Sequence, residues 1–105
     1  MLECRFEETE KVLFCAFKCR MDTINSGEVT RIFDAKLREI KERSPEGLKI
    51  VFDLKDVDYI ASAFIRLCLI AAKAVDRGNF SIVNTDPQVK KVFKLAGLEA
   101  MLNIS

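Results

Sequence analysis

Apolar and polar residues alternate from positions 2 to 8, LECRFEE, which predicts a short strand with one buried side, suited to a sheet edge. Thr9, Glu10 and Lys11 supply a turn. VLFCAFK at 12 to 18 then predicts a second, more apolar strand, antiparallel to the first. Beyond it the period changes. Val29, Ile32, Phe33, Leu37 and Ile40 recur at helical spacing with charges between them. Thr23, Asn25 or Ser26 offers a side-chain cap for this helix, and Glu28 suits its positive first turn. SPEG at 44 to 47 stops it.

The next apolar stretch, KIVFDL at 49 to 54, is continuous rather than alternating, the pattern of a strand buried on both faces. A helix over 61 to 77 follows, ended by Gly78. NFSIVN at 79 to 84 reads as a fourth strand. Asp86 and Pro87 then open a helix as cap and first residue. Its apolar positions are Val89, Val92, Phe93 and Leu95, and Gly97 breaks it before a short apolar tail, LEAMLNI, expected to be a last short helix. The order is β-β-α-β-α-β-α-α, and the central βαβ repeat implies parallel pairing with right-handed crossovers. The expectation is an α/β fold: one domain over residues 1–105, with a mixed, mostly parallel four-stranded sheet and helices mainly on one face.

Composition narrows the function classes. A chain of 105 residues matches a common domain size and can bury roughly two-thirds of its unfolded surface. The net charge of +1, with no long block of one sign, gives no basis for a nucleic-acid partner. No segment approaches the ~18 uninterrupted apolar residues that span a bilayer. The start, MLECRFEETEK, lacks the apolar run of a signal peptide. A cytoplasmic location without membrane insertion is expected. The cysteines at 4, 15, 19 and 68 form no CxxC pair and have no histidine to join them, so neither metal nor cofactor is expected. Cys15 and Cys19 share a strand face with Phe17 and read as core packing. An enzyme is disfavoured: there is no P-loop, no glycine-rich phosphate fingerprint and no readable nucleophile–base pair. Asp53, Asp56 and Asp58 read as a strand end and a turn rather than a carboxylate site.

Residues at 100° intervals sort the 61 to 77 helix into faces. Phe64, Leu67, Cys68, Ala71 and Val75 form an apolar stripe that packs on the sheet. Ser62, Arg66, Leu69 and Lys73 form a separate face, with Arg77 close by. Serine at a helix start is first of all a cap, Leu69 a scattered surface apolar residue, and Arg66 and Lys73 a solvated face. By periodicity alone these residues describe a fold and not a task.

Three stretches carry a resemblance that adds a task. VFDLKDVDYIASAFIRLCLIAAKAV resembles the signature of the STAS domain, the family of anti-sigma factor antagonists: a strand ending in D-L, then D/S-S-S/T/A-G-L and an apolar helix. CRMDTINSGEV resembles the family's G-x-L-D-x-x-N/T-A-x-x-L, and FSIVNTDPQVKKVFKLAGLEAMLNI its closing strand and helix. Together they cover almost the whole chain, in order. Ala61 stands where many members carry aspartate, and Phe64 and Cys19 stand where glycine is usual. The resemblance implies a non-enzymatic binding module that docks an anti-sigma factor doubling as its serine kinase. Phosphorylation of the first serine of the signature, here Ser62, ends binding, and a serine phosphatase restores it. It assigns Asp22 to the kinase-facing surface, with Thr23 and Asn25 as neighbours in the same loop. Ala61, Ala63, Phe64, Arg66, Leu69 and Lys73 complete the expected partner-binding set. The alternative within the family is a STAS scaffold in a signalling or lipid-transport complex that is never phosphorylated.

Overall fold

The structure, a computed structural model, describes residues 1–44 and 46–105. Its elements run β1 (Leu2–Glu7), β2 (Val12–Phe17), α1 (Thr23–Arg43), β3 (Lys49–Asp53), α2 (Ser62–Lys73), β4 (Phe80–Val83) and α3 (Pro87–Leu95). The sheet order is β1-β2-β3-β4. β1 and β2 are an antiparallel hairpin, while β2–β3 and β3–β4 are parallel. Both parallel connections step the same way across the sheet, so two right-handed crossovers carry α1 and α2 to one face. There they pack side by side.

Strand alternation reports that one-sided cover. Leu13, Cys15 and Phe17 of β2, Ile50 and Phe52 of β3, and Phe80 and Ile82 of β4 are buried beneath the helices. Their neighbours Val12, Phe14, Ala16, Val51 and Val83 are only half-buried on the opposite face. The expectation that KIVFDL is buried on both faces is therefore corrected: its apolar run reflects one full core face and one partly covered face. Phe52 is the hub of the core, with ring centroids 4.8 Å from Phe17, 5.4 Å from Phe33, 5.0 Å from Phe80 and 6.3 Å from Phe64. Three of these pairs cross edge to face, the arrangement ring quadrupoles favour.

Helix limits differ from the sequence pattern in informative ways. Asp22, not Thr23, Asn25 or Ser26, caps α1: its carboxylate accepts the Asn25 N–H at 2.8 Å. The helix thus starts early enough that Glu28 falls outside its first turn. Its buried stripe is Ser26, Val29, Phe33, Leu37 and Ile40, whereas Ile32 is 48% exposed. Buried Ser26 is satisfied by donating to the Met21 carbonyl at 3.2 Å. At the other end Ser44 closes the helix through its N–H to Ile40 O at 2.7 Å; Pro45 of the expected SPEG stop lies outside the described residues.

α2 ends at Lys73, short of the expected 77, and Gly78, at φ 89°, sits in the turn that follows rather than at the helix end. α3 begins as expected, with Asp86 accepting the Gln88 N–H at 2.8 Å and Pro87 opening the helix. Val89 and Phe93 face the core, but Leu95 is 79% exposed. In place of a last short helix, residues 98–103 form a single turn in which Leu102 N–H donates to Leu98 O at 3.0 Å. Ile104 then bridges Ile82 on the free side of β4.

Candidate functional site

The carboxyl ends of β2 and β3 lie next to each other in the sheet, so the loops leaving them toward α1 and α2 emerge together. Those loops are joined backbone to backbone. Met21 N–H donates to Tyr59 O at 2.9 Å, Ala61 N–H donates to Met21 O at 2.8 Å, and Met21 and Ile60 form an isolated parallel bridge. Met21 and Ile60 are both buried under this join. The amino ends of α1 and α2 are thereby set beside each other, where a crevice at the carboxyl ends of parallel strands conventionally presents function.

Ser62 is the first residue of α2 and is exposed. It does not cap the helix. The cap position is Ala61, which has no side chain able to accept, and no side chain bonds the first turn. Ala61 O takes the Phe64 N–H at 2.9 Å, which begins the helical ladder. The Ser62 hydroxyl therefore stands at the positive end of a 12-residue helix without a structural hydrogen bond to hold it. Arg66, one turn along the same face and exposed, is within reach of whatever that hydroxyl carries.

The structure brings most of the expected surface together. Asp22 and Thr23 stand at the start of α1, and Asn25 braces the same loop by donating its side-chain amide to Arg20 O at 2.9 Å. Ala61 and Ala63 flank Ser62 and are half-buried. Leu69 is half-buried at the edge of the core, so it serves packing as well as surface. Lys73 lies eleven residues, about 16 Å, along the helix from Ser62 and belongs to another neighbourhood. It lines a cleft of about 760 Å³ with Asp76, Arg77, Phe80 and Met101. Phe64 is corrected: it is fully buried, 5.0 Å from the Phe17 ring, and offers no surface to a partner.

Two exposed residues on the joined loops escaped the sequence pattern. Ile24, in the first turn of α1, is 75% exposed, and Tyr59, just before the Met21–Ile60 bridge, is 46% exposed. The Arg20 guanidinium lies 4.6 Å above the Tyr59 ring, a cation–π contact that holds the ring across the junction of the two loops. An isoleucine off its helix's apolar stripe was the available signal for Ile24. The acidic loop residues do the structural work expected of them. Asp53 accepts from Lys55 N–H at 3.0 Å and Asn84 at 3.1 Å, and Asp56 pairs with Lys18 at 3.3 Å.

The fold agrees with what comparison finds. The solved structures that share the fold include three anti-sigma factor antagonists. An anti-sigma-factor antagonist (STAS) domain protein from Planctomyces limnophilus superposes with a TM-score of 0.82 at 17% identity, covering 99% of this chain and 87% of that one. A candidate anti-sigma factor antagonist from Thermotoga maritima gives 0.77 at 18% identity, over 98% and 84% of the two chains. The anti-sigma factor antagonist SpoIIAA, in its unphosphorylated form, gives 0.62 at 13% identity, over 90% and 83%. Comparison with curated proteins finds no match. No helix among the described residues is long and apolar enough to cross a membrane. The STAS domain family model matches residues 4–105, nearly every residue that builds the sheet, the helices and the joined loops, and the chain belongs to the STAS domain family.

Proposed function

We propose that this protein is a non-enzymatic regulator, an anti-sigma factor antagonist whose binding to an anti-sigma factor is switched off by phosphorylation of Ser62. The carrying observation is that Ser62 is exposed at the first position of α2 with its hydroxyl unused by any cap. A kinase can take such a hydroxyl without the fold losing a bond. The modification adds about −1.5 to −2 charges. At this place they meet free N–H groups and a positive helix end, and Arg66 supplies a guanidinium one turn away. The fold therefore tolerates the phosphate. A partner pressed against Ser62 does not, because a doubly charged group must then be desolvated at the interface.

The docking surface in this reading is formed by Asp22, Thr23, Ile24, Asn25, Tyr59, Ser62, Ala63, Arg66 and the exposed edge of Leu69. The partner is an anti-sigma factor that carries the serine kinase activity, opposed by a serine phosphatase. Intact-mass spectrometry of the protein from its host, before and after serine-phosphatase treatment, tests this. One phosphate placed on Ser62 by fragmentation is the expected result. A chain that stays unmodified across growth and stress conditions, and whose Ser62→Ala and Ser62→Asp variants hold the same partner equally well, overturns the switch. Such a result leaves a constitutive STAS scaffold.

A further inference from the structure

Cys4 and Cys15 stand directly opposite each other in the pairing of β1 with β2. Lys18 N–H donates to Met1 O at 2.7 Å across the same register, and hydrogen-bonded pairs alternate along an antiparallel ladder. Counting inward, Glu3–Ala16 is a hydrogen-bonded pair and Cys4–Cys15 is a non-hydrogen-bonded one. At such pairs the Cα atoms approach to ~4.5 Å, inside the ~4.4–6.8 Å window a disulfide spans. Both side chains lie on the helix-covered face, with Cys15 fully buried and Cys4 packed at the core's edge.

The two thiols are not equivalent. Cys4 is half-buried and opens onto a groove between β1 and α1 lined by Leu2, Ile32, Ala35, Lys36 and Glu39. The facing Cys15 thiol and then the Lys36 ammonium hold the Cys4 thiol below its ordinary range, against the opposing effect of burial. That same pairing, with burial, pushes Cys15 up. Cys68 is fully buried and pushed up by burial alone, which makes it a spectator. Cys19 lies beyond the end of β2 and faces neither sulfur's partner position.

We propose that Cys4 and Cys15 are a redox-active dithiol that hydroperoxides convert to a cross-strand disulfide, stapling the edge strand β1 to β2. The Cys4 thiolate attacks the terminal oxygen of the hydroperoxide. The O–O bond breaks, the departing oxygen takes a proton and leaves as alcohol or water, and Cys4 becomes a sulfenic acid. The Cys15 sulfur then attacks the Cys4 sulfur: the S–S bond forms, the S–O bond breaks, and the Cys15 proton leaves with the hydroxyl as water. The two sulfurs together lose two electrons and the peroxide gains them. Division into a reachable low-pKa thiol and a buried resolving thiol is the arrangement such chemistry needs.

The test uses the full, reduced chain treated with hydrogen peroxide, then denatured, alkylated and weighed intact. The expected product is a monomer lacking two hydrogens, with two of its four thiols blocked from alkylation and a fragment linking Cys4 to Cys15. Cys4→Ser, at the half-buried edge position, is expected to abolish the linked species, while Cys19→Ser retains it. A peroxide-treated chain with all four thiols still alkylated overturns the proposal. So does a linkage through Cys19, a disulfide between two chains, or a sulfinic acid on Cys4 with Cys15 free.

Discussion

Ala61 donates its backbone N–H to the carbonyl of Met21 at 2.8 Å, and that bond ties the entrance of α2 to the entrance of α1. Two helix starts that are far apart in the chain become one surface. Ala61 is also the cap position of α2, and Ser62 is its first helical residue.

Because Ser62 holds no cap bond, Ser62→Ala is expected to change the unfolding free energy by less than about 0.5 kcal/mol, the range of ordinary surface changes. Ser62→Asp should gain about 0.3–1 kcal/mol from the positive helix end. Urea denaturation of both variants measures this. A loss above about 1 kcal/mol in the alanine variant would return the hydroxyl to a capping role.

Asp22 is where capping energy resides. Asp22→Ala removes the acceptor for the Asn25 N–H and should lower stability by about 1 kcal/mol, with Asp22→Asn retaining most of it. Hydrogen exchange at the Asn25 amide should quicken in the alanine variant. Unchanged exchange there would place the first-turn restraint elsewhere, in the Ser26–Met21 bond.

Phe64 occupies a position where the family usually has glycine, yet it is fully buried among Phe17 and Phe52. Phe64→Ala is expected to cost about 3–5 kcal/mol, a large part of the 5–15 kcal/mol typical of a domain. Phe64→Leu should keep the fold and leave partner binding unchanged. Thermal unfolding and a pull-down separate the two effects; lost binding in a stable Leu variant would give the ring a surface role after all.

Ile24→Glu should weaken partner capture with no change in melting temperature, since the side chain is largely exposed. Leu69→Glu should weaken capture and lower the melting temperature as well, because the residue is half inside the core's edge. Paired calorimetry and pull-downs distinguish them. Full binding by Ile24→Glu would move the docking surface away from the joined loops.

Much of this site was legible in the sequence as a set of residues, but not as a geometry. The signature around Ser62 and the acidic residue at 22 could be read by resemblance, whereas Ile24 and Tyr59 could not. Neither stands in a periodic apolar stripe, and their exposure depends on which way two loops turn. The stripe expected of α1 holds at Val29, Phe33, Leu37 and Ile40 and departs only at its margin. Ser26 joins the buried stripe with its hydroxyl donating to Met21 O, and Ile32 is half exposed. The spacing of Val89, Val92, Phe93 and Leu95 gave the third helix but not its depth: a nine-residue helix on the flank of the sheet buries only Val89 and Phe93.

What the sequence determined by itself was the order of strands and helices, the one-sided layering and the antiparallel hairpin. These follow from local periodicity and from the handedness of crossovers, which each segment carries within it. Only the tertiary structure decided that Ser62 is a free first residue rather than a cap, that Phe64 packs against Phe17 and leaves nothing for a partner, and that Cys4 faces Cys15. Each of those depends on a backbone or side-chain partner supplied by a different element, and no pattern within one segment encodes which partner arrives.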